Sequence, residues 1–213
     1  MTSKLSLYNG ALREVGGRKL ASLAENRESR RVLDSMWDAD AVKTCLAAGQ
    51  WNFAMRTQRL DFSPSIAPEF GYARAFVKPD DWVRTCAVCE DEFFRMPLLD
   101  YNDEAGYWFS DLDVIFVRFV SDDTDYGLDY SKWPANFTRY VESFLAARIC
   151  MKLTGNATKR EQLERDAEVW LVKAKSSDAM DEATAKLPAG SWSRARHSNG
   201  RASDRGNRNR LIG

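Results

Sequence analysis

Apolar residues near the N-terminus recur at steps of three and four: Leu5, Tyr8, Ala11, Leu12 and Val15. That spacing places them on one face of an amphipathic helix. Gly16-Gly17 stops the helix, because glycine tolerates the left-handed conformation of a C-cap. After a connector from Arg18 to Glu25, Asn26 is the predicted N-cap of a second helix. Leu33, Met36, Trp37, Ala41, Cys45 and Ala48 share a face of that helix, and Gly49 ends it. Residues 1–50 therefore read as the N-terminal helices of a bundle.

The period then changes. Trp51, Phe53 and Met55 alternate with Asn52 and Ala54, as in a half-buried strand. Trp82–Cys89 and Val114–Val120 are further predicted strands, rich in β-branched and aromatic residues. Pro64, Pro68, Pro79 and Pro97 keep the strands short. Residues 51–121 are predicted to form a small, mostly antiparallel β insertion between two helical halves.

Helical spacing returns over 122–186. Trp133-Pro134 suits a first turn, and Phe137, Tyr140, Val141, Phe144, Ala147 and Met151 form an apolar stripe ending at Gly155-Asn156. Thr158 and Glu161 read as a capping box for the next helix. Leu163, Ala167, Trp170, Leu171 and Ala174 run down its buried face, and the pattern weakens after Ser176-Ser177. Beyond Lys186 the periodicity disappears, and Gly, Ser, Asn and Arg dominate residues 187–213, an extended basic arm. The predicted fold class is α+β, mainly α: a helical bundle with an inserted small antiparallel β region and an extended C-terminal arm.

The chain has 213 residues, 44% of them apolar, with seven Trp, seven Tyr and eleven Phe, which argues for a real core. No stretch approaches the ~20 apolar residues of a membrane span. The start, Met1-Thr2-Ser3-Lys4-Leu5, has no apolar signal region, so synthesis in the cytoplasm is expected. Net charge is zero, but Arg194, Arg196, Arg201, Arg205, Arg208 and Arg210 face only Asp204 between 187 and 213. That arm is +5 and the remaining body −5, so neutrality conceals an acidic body carrying a cationic tail.

Catalytic chemistry finds little support. Cys86-Ala87-Val88-Cys89 has the spacing of a redox or zinc pair, but it lies in a predicted strand, where residues three apart point to opposite faces. A zinc site needs four ligands, and the one histidine, His197, sits in the arm. Cys45, Cys86, Cys89 and Cys150 are expected to be reduced and mostly buried. Asp122, Asp123, Asp125 and Asp129 around Gly127 lack the order and the distant Glu of a calcium loop, so a solvated loop is expected. No phosphate-cradling loop or nucleophile elbow occurs, and a triad would take its base from the tail. No catalytic, cofactor or metal residue is assigned.

The arm carries the candidate site: Trp192, Arg194, Arg196, Arg201, Arg205, Arg208, Arg210, Leu211 and Ile212. Fully extended, its 27 residues reach at most ~90 Å. Scattered surface ion pairs at ~0–1 kcal/mol each would not offset the entropy of ordering it. Trp192, Leu211 and Ile212 are therefore the expected anchors, and they suit a groove on a protein better than a phosphate backbone.

Three motifs, in order, resemble the tail tubular protein A family, the head–tail adaptors of short-tailed phages. The first is Leu12, Val15 and Gly16, then Leu23, then a helix closing into Gly49-Gln50-Trp51-Asn52-Phe53-Ala54, with Arg56 following. The second is Phe76-Val77-Lys78-Pro79-Asp80-Asp81-Trp82-Val83-Arg84, and the third is Trp133-Pro134-Ala135-Asn136-Phe137 leading to Ala146-Ala147-Arg148-Ile149 and Leu153-Thr154-Gly155. They span most of residues 5–175. At Gly16-Gly17-Arg18-Lys19 the chain lacks the proline of the family's turn.

The resemblance implies a structural virion protein at the head–tail interface, not an enzyme. It implies a ring, typically a dodecamer, that binds the portal protein on one side and a tail nozzle protein resembling tubular protein B on the other. Double-stranded DNA passes through without sequence-specific contact. A C-terminal segment in related adaptors embraces the portal, the role expected of the arm. A nucleic-acid-binding protein with a basic tail and a cell-wall glycan hydrolase are the alternatives.

Overall fold

A computed structural model of the chain describes residues 2–181. Helix α1 (Lys4–Val15) opens on a reciprocal cap: Ser3 Oγ accepts the Ser6 amide at 3.2 Å, and Ser6 Oγ accepts the Ser3 amide at 2.8 Å. It closes at Gly16, whose φ of 83° is the left-handed conformation its sequence predicted. The predicted second helix is divided. α2 (Glu28–Trp37) starts after Arg27, not at Asn26, and α3 (Ala41–Ala47) follows a break at Asp38-Ala39-Asp40. Asp40 takes a φ of 58°, which its short polar side chain tolerates better than most.

The first predicted strand is also corrected. Trp51 is buried, and its indole N–H donates to the carbonyls of Cys45 at 3.2 Å and Leu46 at 3.0 Å. It thus adds a second donor to carbonyls at the end of α3, which also accept the Ala48 and Gly49 amides at 3.3 and 3.4 Å. Asn52–Ala54 then form a 3-10 turn, and strand β1 begins only at Met55, running Met55–Asp61.

Five further strands follow: β2 (Arg74–Val77), β3 (Trp82–Cys89), β4 (Asn102–Glu104), β5 (Tyr107–Ser110) and β6 (Val114–Ser121). They form two antiparallel three-stranded sheets, ordered β1-β6-β3 and β2-β5-β4. In the first, Met55 pairs with Val120 and Asp61 with Val114, while β3 is irregular between Trp82 and Arg84 and between Thr85 and Ala87. Phe76, Val88, Leu98, Trp108, Ile115, Val117 and Phe119 fill a β core of their own.

A buried cation joins the two sheets. Lys78 Nζ, on a side chain only 8% exposed, pairs with Asp103 and lies 3.7 Å from the centre of the Trp82 ring and 5.3 Å from that of Trp108. Asp103 also accepts Trp108 Nε1 at 3.0 Å and Thr85 Oγ1 at 3.1 Å. The aromatic faces attract the ammonium and the carboxylate neutralises it.

The second helical half is α4 (Ala135–Thr154) and α5 (Ala157–Asp181). α4 packs against all four other helices. Its burial therefore exceeds one stripe: Leu145, Ala146, Ile149 and Cys150 join Phe137, Tyr140 and Val141 inside, while Met151 is exposed. The first turn of α5 is capped by Asn156, whose Oδ1 accepts the Lys159 amide at 3.0 Å, and not by Thr158. Leu163, Ala167 and Ala174 are buried as expected, and Trp170 and Leu171 are partly so. The helix continues past Ser176-Ser177 to Asp181.

The architecture is α+β and mainly α, with the β region between the helical halves. One end of sheet β1-β6-β3 meets the helical core through Ala54, Val83, Cys86 and Val120. The loops after Asp61 and Cys89, and the one before Val114, lie at the other end.

Lys78→Ala should lower stability by about 2–3 kcal/mol in denaturant titrations. This is less than the ~3–5 kcal/mol of a fully buried pair, because Asp103 keeps two other donors.

Candidate interaction surfaces

The arm residues Trp192, Arg194, Arg196, Arg201, Arg205, Arg208, Arg210, Leu211 and Ile212 lie outside the described residues. The structure does give the segment that leads to them. Asp178, buried in the last described turns of α5, accepts the Asn52 amide at 3.0 and 3.2 Å, and its carbonyl accepts Asn52 Nδ2 at 2.8 Å. This holds the end of α5 beside the start of β1.

α5 also carries apolar residues away from its buried face. Opposite its buried residues, Val169, Val172 and Met180 are exposed at 50%, 67% and 82%. At 100° per residue these three lie on one outward stripe.

The acidic loop 122–129 is held by hydrogen bonds and ion pairs. Asp122 pairs with Lys43 at 3.0 Å, Asp123 accepts the Asp125 amide at 2.9 Å, and Asp129 pairs with Lys132 at 3.0 Å. The Ser131 hydroxyl, then Lys132, hold the Asp129 carboxyl below its usual range. Among the described residues, no three His, Cys, Asp or Glu side chains gather to hold a metal. Gly127 has a packing reason: a Cβ there would fall 2.2 Å from the Ser121 carbonyl, and its own carbonyl accepts Trp133 Nε1 at 2.8 Å.

All four cysteines are free thiols. Cys86 packs on the helical core, Cys89 is buried, and burial raises both thiols above their usual range. Burial pushes Cys45 up to about 12.

Two carboxyls unremarked in the sequence sit between α1 and α4. Glu142 is buried, bridged by Arg13 at 3.2 Å and Arg139 at 3.1 Å, and lines an open cleft of about 980 Å³ with Asn9, Gly10 and Leu20. Gly10 makes the room, since a Cβ there would lie 2.1 Å from Glu142 Cδ. Glu14 accepts the Ser143 hydroxyl at 3.1 Å, while its other oxygen is buried without a hydrogen-bond partner among the described residues. Burial raises both carboxyls, and for Glu14 the nearby Glu142 raises it further.

The far end of the β region was not foreseen at all. Two loops there, 62–73 and 90–101, expose Phe70 (88%), Phe93 (67%), Met96 (57%) and Leu99 (90%). Both loops are well tied. Asp91 accepts the amides of Arg95 at 3.0 Å and Met96 at 2.8 Å, and Tyr72 Oη donates to Asp100 at 2.9 Å, linking one loop to the other. Phe94, at a φ of 55°, lies under the Arg118 guanidinium at 4.5 Å. Burying any one of the four exposed side chains would contribute about 1.5–3 kcal/mol. The sequence signal was four apolar residues in Pro- and acid-rich stretches where no period applies.

No family model matches the chain, and no curated protein matches it in sequence. Among the described residues, no helix is long and apolar enough to cross a membrane.

Gly127→Ala should destabilise by about 1–3 kcal/mol, the range of overpacking, measured by denaturant unfolding. Glu14 supplies a pH test. A carboxyl raised by folding contributes stability below its unfolded pKa (~4.3) that is lost as pH rises through the folded value. Glu14→Gln should therefore raise the melting temperature at pH 7, and the gain should vanish near pH 4.

Proposed function

We propose that the chain is a structural head–tail adaptor, which assembles side by side into a ring joining a portal protein to a tail nozzle protein. The observation that carries this reading is α5. It packs on α4 along one face, presents Val169, Val172 and Met180 on the opposite face, and leads into the Arg-rich arm. Apolar residues on the outward side of a helix suit a subunit that has a neighbour, because a monomer gains nothing from exposing them.

The division of charge supports the same reading. Residues 1–181 carry −5 and 182–213 carry +5. An acidic wall around a channel repels phosphates and lets DNA slide, while a cationic strap with apolar anchors binds outside it. In this reading Trp192, Leu211 and Ile212 seat on the portal and the six arginines orient them. Each contact is weak, but a ring repeats it and gains avidity. The ring of twelve comes from the family resemblance, and so does the place in the virion tail.

Particle images of the purified protein mixed with portal should show rings stacked on portal. Deleting residues 187–213 should abolish stacking while leaving the helical circular dichroism intact. Val172→Glu, on the outer face of α5, should block ring formation without unfolding the protein. Normal attachment after the deletion would overturn the arm's role, and salt-sensitive DNA affinity lost with the arm would favour a nucleic-acid-binding protein.

A further inference from the structure

We propose that the far end of the β region is a docking site for a cationic protein segment carrying apolar anchors, on the partner that the adaptor meets at that end. The inference rests on the connector reading and names the chemistry of its second partner. Phe70, Phe93, Met96 and Leu99 project from loops that are already fixed by the Asp91 amide contacts and the Tyr72–Asp100 bond. Docking there requires little ordering of the receptor.

Charge selects the occupant. The two loops hold Glu69, Glu90, Asp91, Glu92 and Asp100 against one guanidinium, Arg95, a net of −4. Backbone amides, that of Met96 foremost, keep the Asp91 carboxyl below its usual range. A second copy of this tip, a DNA backbone and an anionic lipid headgroup are all repelled by it. The acids also sit beside the anchors: Glu69 precedes Phe70, Glu92 precedes Phe93, and Asp100 follows Leu99. A segment in which Lys or Arg flanks Leu, Ile or Trp satisfies both features together. The position fits a two-sided connector, because β1 in full separates this end from Asn52, where Asp178 holds α5.

The test uses the full chain and a labelled synthetic peptide of about a dozen residues, Lys alternating with Leu around one Trp. Control peptides replace Leu with Ser or Lys with Glu. The expected result is saturable, salt-sensitive binding with amide shifts confined to 69–72 and 90–100. The double variant Phe70→Ser, Leu99→Ser should weaken binding about tenfold or more, and Glu92→Lys should weaken it mainly at low salt. All three positions are exposed, so the variants should fold normally, as checked by circular dichroism.

Unchanged affinity in the double variant, or equal binding of either control peptide, would overturn the proposal. Tip-dependent binding of phosphatidylserine vesicles would also overturn it, in favour of a membrane. Self-association dissolved by the double variant would overturn it in favour of a second copy. Failure here with intact rings on portal would leave the adaptor standing, whereas peptide docking without rings would leave only the docking site.

Discussion

Phe137 is where the parts of this protein meet. Trp51, Phe53 and Trp133 surround its ring, with centroids 4.7, 4.8 and 4.9 Å away. Such pairs add about 0.5–1.5 kcal/mol each beyond the area they bury. They also set boundaries. Trp51 closes α3 with its indole N–H, Phe53 lies in the turn that launches β1, and Trp133 stands two residues before α4 while binding the Gly127 carbonyl. One cluster thus sets the end of the first helical half, the entry to the β region and the start of the second half.

That cluster also shows what could be read in advance. α1, α4 and α5 follow from helical spacing, and β3 and β6 from runs of β-branched and aromatic residues, because each is long enough for its pattern to register. Trp51 and Phe53 mimicked strand alternation, yet their spacing reflects two contacts with one ring. The break at Asp38–Asp40 left no periodic trace, since apolar residues on either side keep helical spacing across it. β2, β4 and β5 span only three or four residues each, too short for a period to register. The candidate tip was illegible for a different reason: exposure is a property of the fold, and Phe70 or Leu99 looks like core until the sheets are placed.

The separation of charge becomes more meaningful in the structure than in the sequence. Several carboxylates of the acidic body are engaged by lysines, arginines and backbone amides. Glu142 illustrates this, since both Arg13 and Arg139 pair with its carboxylate at the edge of the cleft. The apolar surfaces are separated too. The outer face of α5 and the far end of the β region lie on different elements, so each can be engaged without occluding the other.

The clamp between Asp178 and Asn52 has a mechanical side. Tension drawn along the chain beyond Asp181 reaches the three hydrogen bonds to Asn52 before it can peel α5 from α4. The load then passes into the residue just ahead of β1, and from there into the rungs between β1 and β6. A pull on the C-terminal side would thus be shared between sheet and helices, with no single helix unwinding one turn at a time.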